Sequence, residues 1–297
     1  MQKINLYAFL ILFSISAMEA NANELQKIKV VTCFSILEDL VTELGGKRVS
    51  IINLVGRNSD AHIYQPKPSD AVAIAKADLV IMNGLGFEGW VARLLENQGR
   101  SPKRLVASQG VDTLMSEDDI DPHAWQSFKN IRVYVDNITR VLVDINPKYK
   151  NEFERYNKIY KQKLHLLEQD LSKQVDKIPK HQRIVVTSHD AFAYLGREFG
   201  IQFMAPMGFS TDSEPTASDV AKLIDQIKAQ GVKALFVENI SNPRLLEQIA
   251  SETGIKIGEN LYSDALGNVG GPSETYLKMM RHNIESIIRA ITLKKSK

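Results

Sequence analysis

Apolar and polar positions follow two alternating patterns in two blocks of the chain, residues 27–146 and 182–297. Short apolar runs typical of buried strands alternate with segments whose apolar residues recur at helical spacings. The predicted strands are residues 28–32, 49–55, 79–82, 105–107, 184–187, 202–205, 234–237 and 255–257. The predicted helices include residues 36–44, 70–76, 191–198, 217–230 and 243–253. Strands spaced by helices predict an α/β fold with two lobes, each a mostly parallel sheet flanked by helices.

A different pattern separates the two blocks. Residues 148–176 contain neither glycine nor proline, and their apolar residues recur at spacings of three and four. This predicts one long rigid helix, on the order of 40 Å in length, that joins the lobes and restricts hinge motion between them. The predicted organisation is an N-terminal lobe at residues 23–147, a linking helix at 148–178 and a C-terminal lobe at 179–297.

The first residues are typical of a secretory signal. Lys3 precedes an apolar run over residues 6–18, and a small-x-small site closes at Ala22. The apolar run is shorter than the roughly 20 residues of a spanning helix. We therefore expect residues 1–22 to be a signal peptide that is cleaved before Asn23. The mature chain should lie in the periplasm without stable insertion into the membrane.

The net charge and the single cysteine argue against nucleic-acid binding, disulfide formation and lipid attachment. The formal net charge is +2, and the only basic cluster is at residues 294–297, so nucleic acid is not an expected partner. The single cysteine, Cys33, lies beyond the expected cleavage site and among apolar residues. This placement indicates a buried, inert thiol that accepts neither a disulfide partner nor a lipid.

Four residues share a position that favours metal binding. His62, His123 and His189 follow or end predicted strands, and Asp264 follows the last one. The carboxyl ends of parallel strands face the ligand crevice, so two facing sheets would bring these side chains together. Three imidazoles and one carboxylate suit zinc, and they are acceptable to manganese or iron. On spacing alone, loop structure or packing remains an equally good interpretation.

Residues near the four candidate ligands could support them. A carboxylate that accepts the second N–H of a metal-bound imidazole could come from Asp60, Asp121, Asp190 or Glu238, although Asp60 and Asp190 fit turns or helix capping equally well. Trp125 and Tyr64 could exclude water from the site, whereas Trp90 is assigned to the core. The other histidines, at positions 165, 181 and 282, are typical of surface or helix-face residues.

Motifs for other chemistry are missing or weak. The sequence contains no GxxxxGK[ST] phosphate loop, no HExxH motif and no G-x-S-x-G elbow. The spaced glycines at positions 84, 86 and 89 follow a strand, but we interpret them as a turn. We therefore predict no catalytic residues and no cofactor-binding residues.

Several segments together resemble one family. Residues 60–70, 121–125, 187–195, 210–215 and 261–265, with Gly200, Tyr276, His282 and Asn283, are similar to cluster A-I metal-binding proteins of ABC importers, the zinc/manganese periplasmic binding proteins. The resemblance spans the mature chain. It implies two α/β lobes joined by a rigid helix, one divalent metal ion as cargo between them, and an inner-membrane ABC permease as partner. It places the ligands at His62, His123, His189 and Asp264, and we expect a monomer without enzymatic activity.

Two departures from the family pattern leave the metal open between zinc and manganese, with iron also possible. Manganese binders in the family often have Glu at the third ligand position, where this chain has His189. Zinc-specific members often carry a His-rich loop before the second ligand, but residues 111–121 here are short, acidic and without histidine. Two other functions stay open, a metal-dependent hydrolase and a surface adhesin with a structural metal. Four protein ligands leave little room for a catalytic water, and no repeat supports an adhesin.

Overall fold

The computed structural model describes residues 27–96, 102–116 and 119–292. The predicted signal peptide, residues 1–22, and the basic cluster at 294–297 lie outside the described residues. Within them, no helix is both long and apolar enough to cross a membrane.

The first sheet has four parallel strands in the order β2-β1-β3-β4. Its strands are β1 (Ile28–Phe34), β2 (Val49–Val55), β3 (Leu79–Met82) and β4 (Lys103–Val106). The connecting helices are α1 (Ser35–Gly45), α2 (Pro68–Lys76) and α3 (Gly89–Glu96). In β1 every residue except Lys29 is buried, as expected of a central parallel strand that is covered on both faces. The predicted strands of this half are confirmed, with small shifts at their ends.

The second sheet has three parallel strands in the order β8-β7-β9. Its elements are β7 (Ile184–Val186), α6 (Ala193–Phe199), β8 (Gln202–Met204), α7 (Ala217–Gln230), β9 (Ala234–Leu235) and α8 (Arg244–Thr253). The strand predicted at 255–257 is wrong, because only Ile257 pairs there, in an isolated bridge with Leu235. The run is bracketed by Gly254, which ends α8 in the left-handed conformation, and by Gly258, which packs closely on the ring of Phe236.

Further strands and helices lie outside the two parallel sheets. A short antiparallel hairpin, β5 (Met115–Ser116) and β6 (Asp119–Ile120), precedes α4 (Phe128–Ile145), and α9 (Tyr276–Thr292) is the last helix. The N-cap of α4 is Ser127, whose side chain accepts a hydrogen bond from the backbone N–H of Asn130. Helix α4 is not among the predicted helices.

The predicted linking helix is confirmed as α5 (Lys150–Val175), with 26 residues. It starts two residues later than expected, because Pro147 opens a separate 3-10 turn, Pro147–Tyr149. Helix α5 packs against α1 and α4 from the N-terminal half and against α9 from the C-terminal half. Its buried face includes Phe153, Tyr160 and Leu164, whereas Ile159, on the predicted apolar face, is 42% exposed.

Two carboxylates cap helices across the boundary between the halves. In the N-terminal half, Asp39 of α1 accepts a hydrogen bond of 2.9 Å from the backbone N–H of Tyr276, at the start of α9. In the C-terminal half, Glu198 of α6 accepts hydrogen bonds from the backbone N–H groups of Phe128 and Lys129, at the start of α4 in the N-terminal half. Such contacts satisfy the free N–H groups of a first helical turn. The two halves are therefore held together by more than helix α5.

Candidate metal centre

Four side chains meet between the two sheets. His62 lies in the loop between β2 and α2, His123 follows β6, His189 follows β7, and Asp264 lies shortly after a bridge between Glu238 and Leu261. Each residue offers one potential ligand atom, and these atoms all lie within 4.8 Å of one another. The structure thus brings together all four residues at which the sequence predicts metal ligands.

The donor atoms face a common point. The Nε2 atom of His123 lies 3.4 Å from Nε2 of His62 and 3.3 Å from Nε2 of His189. Oδ2 of Asp264 lies 3.2 Å from Nε2 of both His62 and His189. Apart from these imidazole contacts, neither oxygen of the buried Asp264 carboxylate has a hydrogen-bond donor among the described residues. A buried carboxylate in this state requires a positive charge nearby.

Two carboxylates orient two of the imidazoles. Asp121 Oδ1 lies 2.8 Å from Nδ1 of His123 and also accepts a hydrogen bond from its backbone N–H. Glu238 Oε2 lies 2.6 Å from Nδ1 of His189, while Oε1 accepts from the backbone N–H of the same residue. A carboxylate at Nδ1 favours a proton on that nitrogen, so the lone pair of Nε2 points into the centre. The predicted supporting positions of Asp121 and Glu238 agree with this geometry.

The other two residues predicted to support the ligands, Asp60 and Asp190, make different hydrogen bonds. Asp60 stabilises a turn, since its Oδ1 accepts a hydrogen bond of 2.8 Å from the backbone N–H of His62 and its Oδ2 accepts one from Thr211. The backbone N–H of Asp190 donates to the carbonyl groups of Met207 and Gly208. The turn alternative for Asp60 is therefore the one that the structure supports.

The charges of the centre are strongly coupled. Burial by itself lowers the pKa of His189, but the carboxylates of Glu238 and Asp264 outweigh it and hold that pKa well above its ordinary value. Burial by itself raises the pKa of Asp264, but His189 and His123 outweigh it and hold that pKa well below its ordinary value. The environment of the His189 imidazole therefore favours a positive charge, which either a proton or a metal cation can supply.

Aromatic side chains wall the centre. The ring of His62 stands edge-on to Phe87 with centroids 4.6 Å apart, and Phe87 packs on the fully buried Trp125 at 4.8 Å. Trp125 thus lies beside the centre, as predicted from the sequence. Tyr64 does not, because it packs on Trp90, which is buried in the core as expected.

A buried polar network beside the centre was missed from the sequence. Asn83 donates a hydrogen bond of 2.9 Å to the carbonyl of Pro122, the residue before His123. Glu88 in turn accepts a hydrogen bond from the backbone N–H of Asn83, and burial raises the pKa of Glu88 to about 7. The sequence feature that could have indicated this network is Glu88, a lone carboxylate within the glycine-rich turn at residues 84–89. That turn is confirmed, since Gly84 and Gly86 have φ values of 85° and 83°.

A groove that is open to solvent borders the centre at His62. Its volume is about 760 Å³, and its lining includes His62, Phe87 and Phe209 together with the carboxylates of Asp119 and Asp212. The remaining histidines lie elsewhere: His165 and His181 are exposed, and Nε2 of His282 lies 2.9 Å from the carbonyl of Asn260. All three have the ordinary positions expected from the sequence.

Comparison with known proteins assigns the chain to a family. Residues 30–290 match the family described as "ZnuA: Zinc-uptake complex component A periplasmic". The manganese-binding lipoprotein MntA of Halalkalibacterium halodurans is 33% identical over 267 residues, which cover 89% of each chain. The iron-binding protein YfeA of Yersinia pestis is 29% identical over 289 residues, covering 95% of this chain and 93% of its own.

Solved structures agree with the family match. The periplasmic zinc-binding protein TroA from Treponema pallidum superposes with a TM-score of 0.86 at 28% identity, covering 90% of this chain and 100% of its own. The matched region includes both sheets, helix α5 and all four residues of the candidate centre. The chain therefore belongs to the ZnuA family of metal-binding substrate-binding proteins of ABC importers.

Proposed function

We propose that His62, His123, His189 and Asp264 bind one divalent transition-metal ion as transport cargo, and that the chain delivers this ion to an inner-membrane ABC permease. The observation that carries the proposal is the buried carboxylate of Asp264, whose oxygens lie 3.2 to 3.6 Å from three imidazole nitrogens and have no other hydrogen-bond donor among the described residues. A cation at this point would satisfy both oxygens and the three lone pairs together. The cargo would lie between the proposed lobes at residues 23–147 and 179–297.

The donor set favours zinc in binding strength. Three imidazole nitrogens and one carboxylate bind divalent metals with affinities that generally increase from manganese through iron towards zinc. Relatives are named for manganese, for iron and for zinc, so their names do not decide the cargo. We propose zinc or manganese as the physiological cargo, with iron as a further possibility, and tighter binding of zinc in vitro.

We propose that the protein acts as a periplasmic monomer after removal of residues 1–22. Relatives such as MntA are named lipoproteins. The single cysteine here, Cys33, lies within β1 and is 0% exposed. Its burial raises the pKa of the thiol well above its ordinary value, as expected of an inert side chain. This supports the proposal that Cys33 does not carry a lipid.

An enzymatic role fits the centre less well than transport. A hydrolytic metal needs an open coordination position for water and a nearby base. Here four protein groups converge on one point, and one oxygen each of Asp121 and Glu238 lies within 2.8 Å of the Nδ1 atom of His123 and His189, respectively. We therefore propose that the protein is not an enzyme. An assay for metal-dependent hydrolysis checks this directly.

The proposed function is tested by metal content and competition. We expect the mature protein, purified without added metal, to contain about one transition-metal ion per chain by elemental analysis, as one set of four donors allows. In a chelator competition assay, zinc should displace manganese at equal free concentrations. Protein that binds neither ion would reject the metal site, and displacement of zinc by manganese would reject the proposed order of affinity.

Metal binding is expected to change the shape of the protein very little. Helix α5 contacts helices of both halves, and the caps by Asp39 and Glu198 cross between them. Because these contacts resist rotation of one half against the other, release should depend on local loop movement. Small-angle scattering should give nearly equal radii of gyration for metal-free and metal-loaded protein. A large decrease on metal binding would contradict this.

A further inference from the structure

Helix α6, which follows His189, is bound to the segment that carries His123. Tyr194 of α6 is fully buried. Its hydroxyl donates a hydrogen bond of 2.8 Å to the carbonyl of Asp121 and accepts one of 2.9 Å from the backbone N–H of Leu114. Asp121 and Leu114 are themselves joined by a backbone hydrogen bond of 2.9 Å at the base of the β5–β6 hairpin. The hydroxyl therefore fixes the backbone of Asp121 from the opposite half of the chain.

The position of Asp121 determines the orientation of His123. One oxygen of the Asp121 carboxylate contacts both the backbone N–H and the Nδ1 atom of His123, at 2.9 Å and 2.8 Å. This carboxylate and the ring of His123 are both fully buried. A displacement of the Asp121 backbone would therefore move its carboxylate and, with it, the imidazole of His123.

One turn further along α6, a second contact holds the other side of the same segment. Glu198 accepts hydrogen bonds from the hydroxyl of Ser127 at 2.7 Å and from the backbone N–H of Phe128 at 2.8 Å. The segment with His123 is thus bound to α6 both before and after the histidine. His189 lies just before α6, and its Nε2 is 3.3 Å from that of His123.

We propose that Tyr194 is a positioning residue for metal binding, which couples His123 to His189 across the two halves of the chain. The inference rests on the proposed metal centre. Loss of the hydroxyl would leave the carbonyl of Asp121 and the N–H of Leu114 without this partner, so Asp121 would hold the imidazole of His123 less firmly. Removing the direct outer partner of a metal-bound histidine typically weakens binding by about 10- to 100-fold, and because Tyr194 acts on that partner, Asp121, the lower end of this range is expected.

The test is Tyr194→Phe, with Tyr160→Phe as the matched control. Tyr160 is also buried, but its hydroxyl has no hydrogen-bond partner among the described residues. Both variants lose one hydroxyl from a buried ring. In a chelator competition assay we expect the zinc affinity of the Tyr194 variant to fall by about 10-fold or more, and that of the Tyr160 variant to match the wild type. The absorption spectrum of bound Co²⁺ should change only in the Tyr194 variant.

The outcomes separate this inference from the proposed function. Wild-type affinity together with an unchanged Co²⁺ spectrum in Tyr194→Phe would overturn the positioning role while leaving the metal site intact. A lower affinity with an unchanged Co²⁺ spectrum, accompanied by a lower melting temperature of the metal-free protein, would also overturn it, because the effect would then be one on general stability. Absence of zinc binding in the wild type would reject the metal site itself, and the inference with it.

Discussion

Replacement of Asp264 by Asn is expected to weaken zinc binding by at least about 100-fold, more than the loss of an outer partner causes. Asp264 is the only anionic side chain among the four, and its oxygens lie 3.2 to 3.6 Å from all three imidazoles. Asn has nearly the same size, so the change removes the negative charge and one acceptor without opening a cavity. Zinc affinity in a chelator competition assay measures the effect.

Two controls accompany this variant. Asp144→Asn makes the same chemical change at an exposed carboxylate that pairs with Lys103, and it should leave zinc affinity unchanged. His181→Ala removes an exposed imidazole and should also be neutral, whereas Ala at His62, His123 or His189 should weaken binding at least about 10-fold. Undiminished binding by the Asp264 variant would show that the ligand set is wrong.

Zinc affinity is expected to fall steeply as the pH falls. The pKa of His189 in the metal-free protein lies well above its ordinary value of about 6.5, so near neutral pH the ion must displace a proton from the site. For each proton displaced, affinity should fall about 10-fold per pH unit. With an unperturbed imidazole pKa of about 6.5, this loss would fall between roughly pH 6 and 4. The raised pKa of His189 moves the start of this loss of zinc affinity to higher pH.

Measurements of affinity from about pH 8 to about pH 5, together with proton release in weak buffer, test this expectation. The stability of the metal-free fold depends on pH in the opposite direction to zinc affinity. Because its folded-state pKa is raised, His189 stabilises the metal-free protein fully below about pH 6.5, and this contribution is lost as the pH rises through the raised value. Zinc affinity that stays constant over the whole range would mean that imidazoles do not dominate the site.

Local patterns were sufficient for most of the architecture. The absence of glycine and proline around residues 150–175 predicted α5, and strand ends predicted the convergence of the four residues in the centre. The strand predicted at 255–257 failed because two glycines confine the run, so a short apolar segment was not enough. The argument from parallel strand ends holds for His62 and His189, which follow β2 and β7. It does not hold for His123, which follows the antiparallel strand β6, or for Asp264, which follows an isolated bridge.

Other parts of the site could not be predicted, because they depend on side-chain direction between distant segments. Asp60 and Asp121 both lie two residues before a histidine, yet only Asp121 contacts the imidazole ring, and Asp60 turns to the backbone. Likewise, Tyr194 lies 73 residues from its partner Asp121, and nothing in the local pattern of either segment indicates the contact. Spacing identifies which residues come near the centre but not which atoms they present.

The reciprocal caps by Asp39 and Glu198 bear on how the chain folds. The first turns of α9 and α4 obtain these hydrogen-bond acceptors only when the other half of the molecule is in place. A fragment cut within α5 would lose these acceptors, and the freed N–H groups of the first helical turn would bond to water instead. Heating should therefore melt both sheets in one cooperative transition. Helix α5 is then part of one cooperative folding unit and not a flexible linker between two independently folding domains.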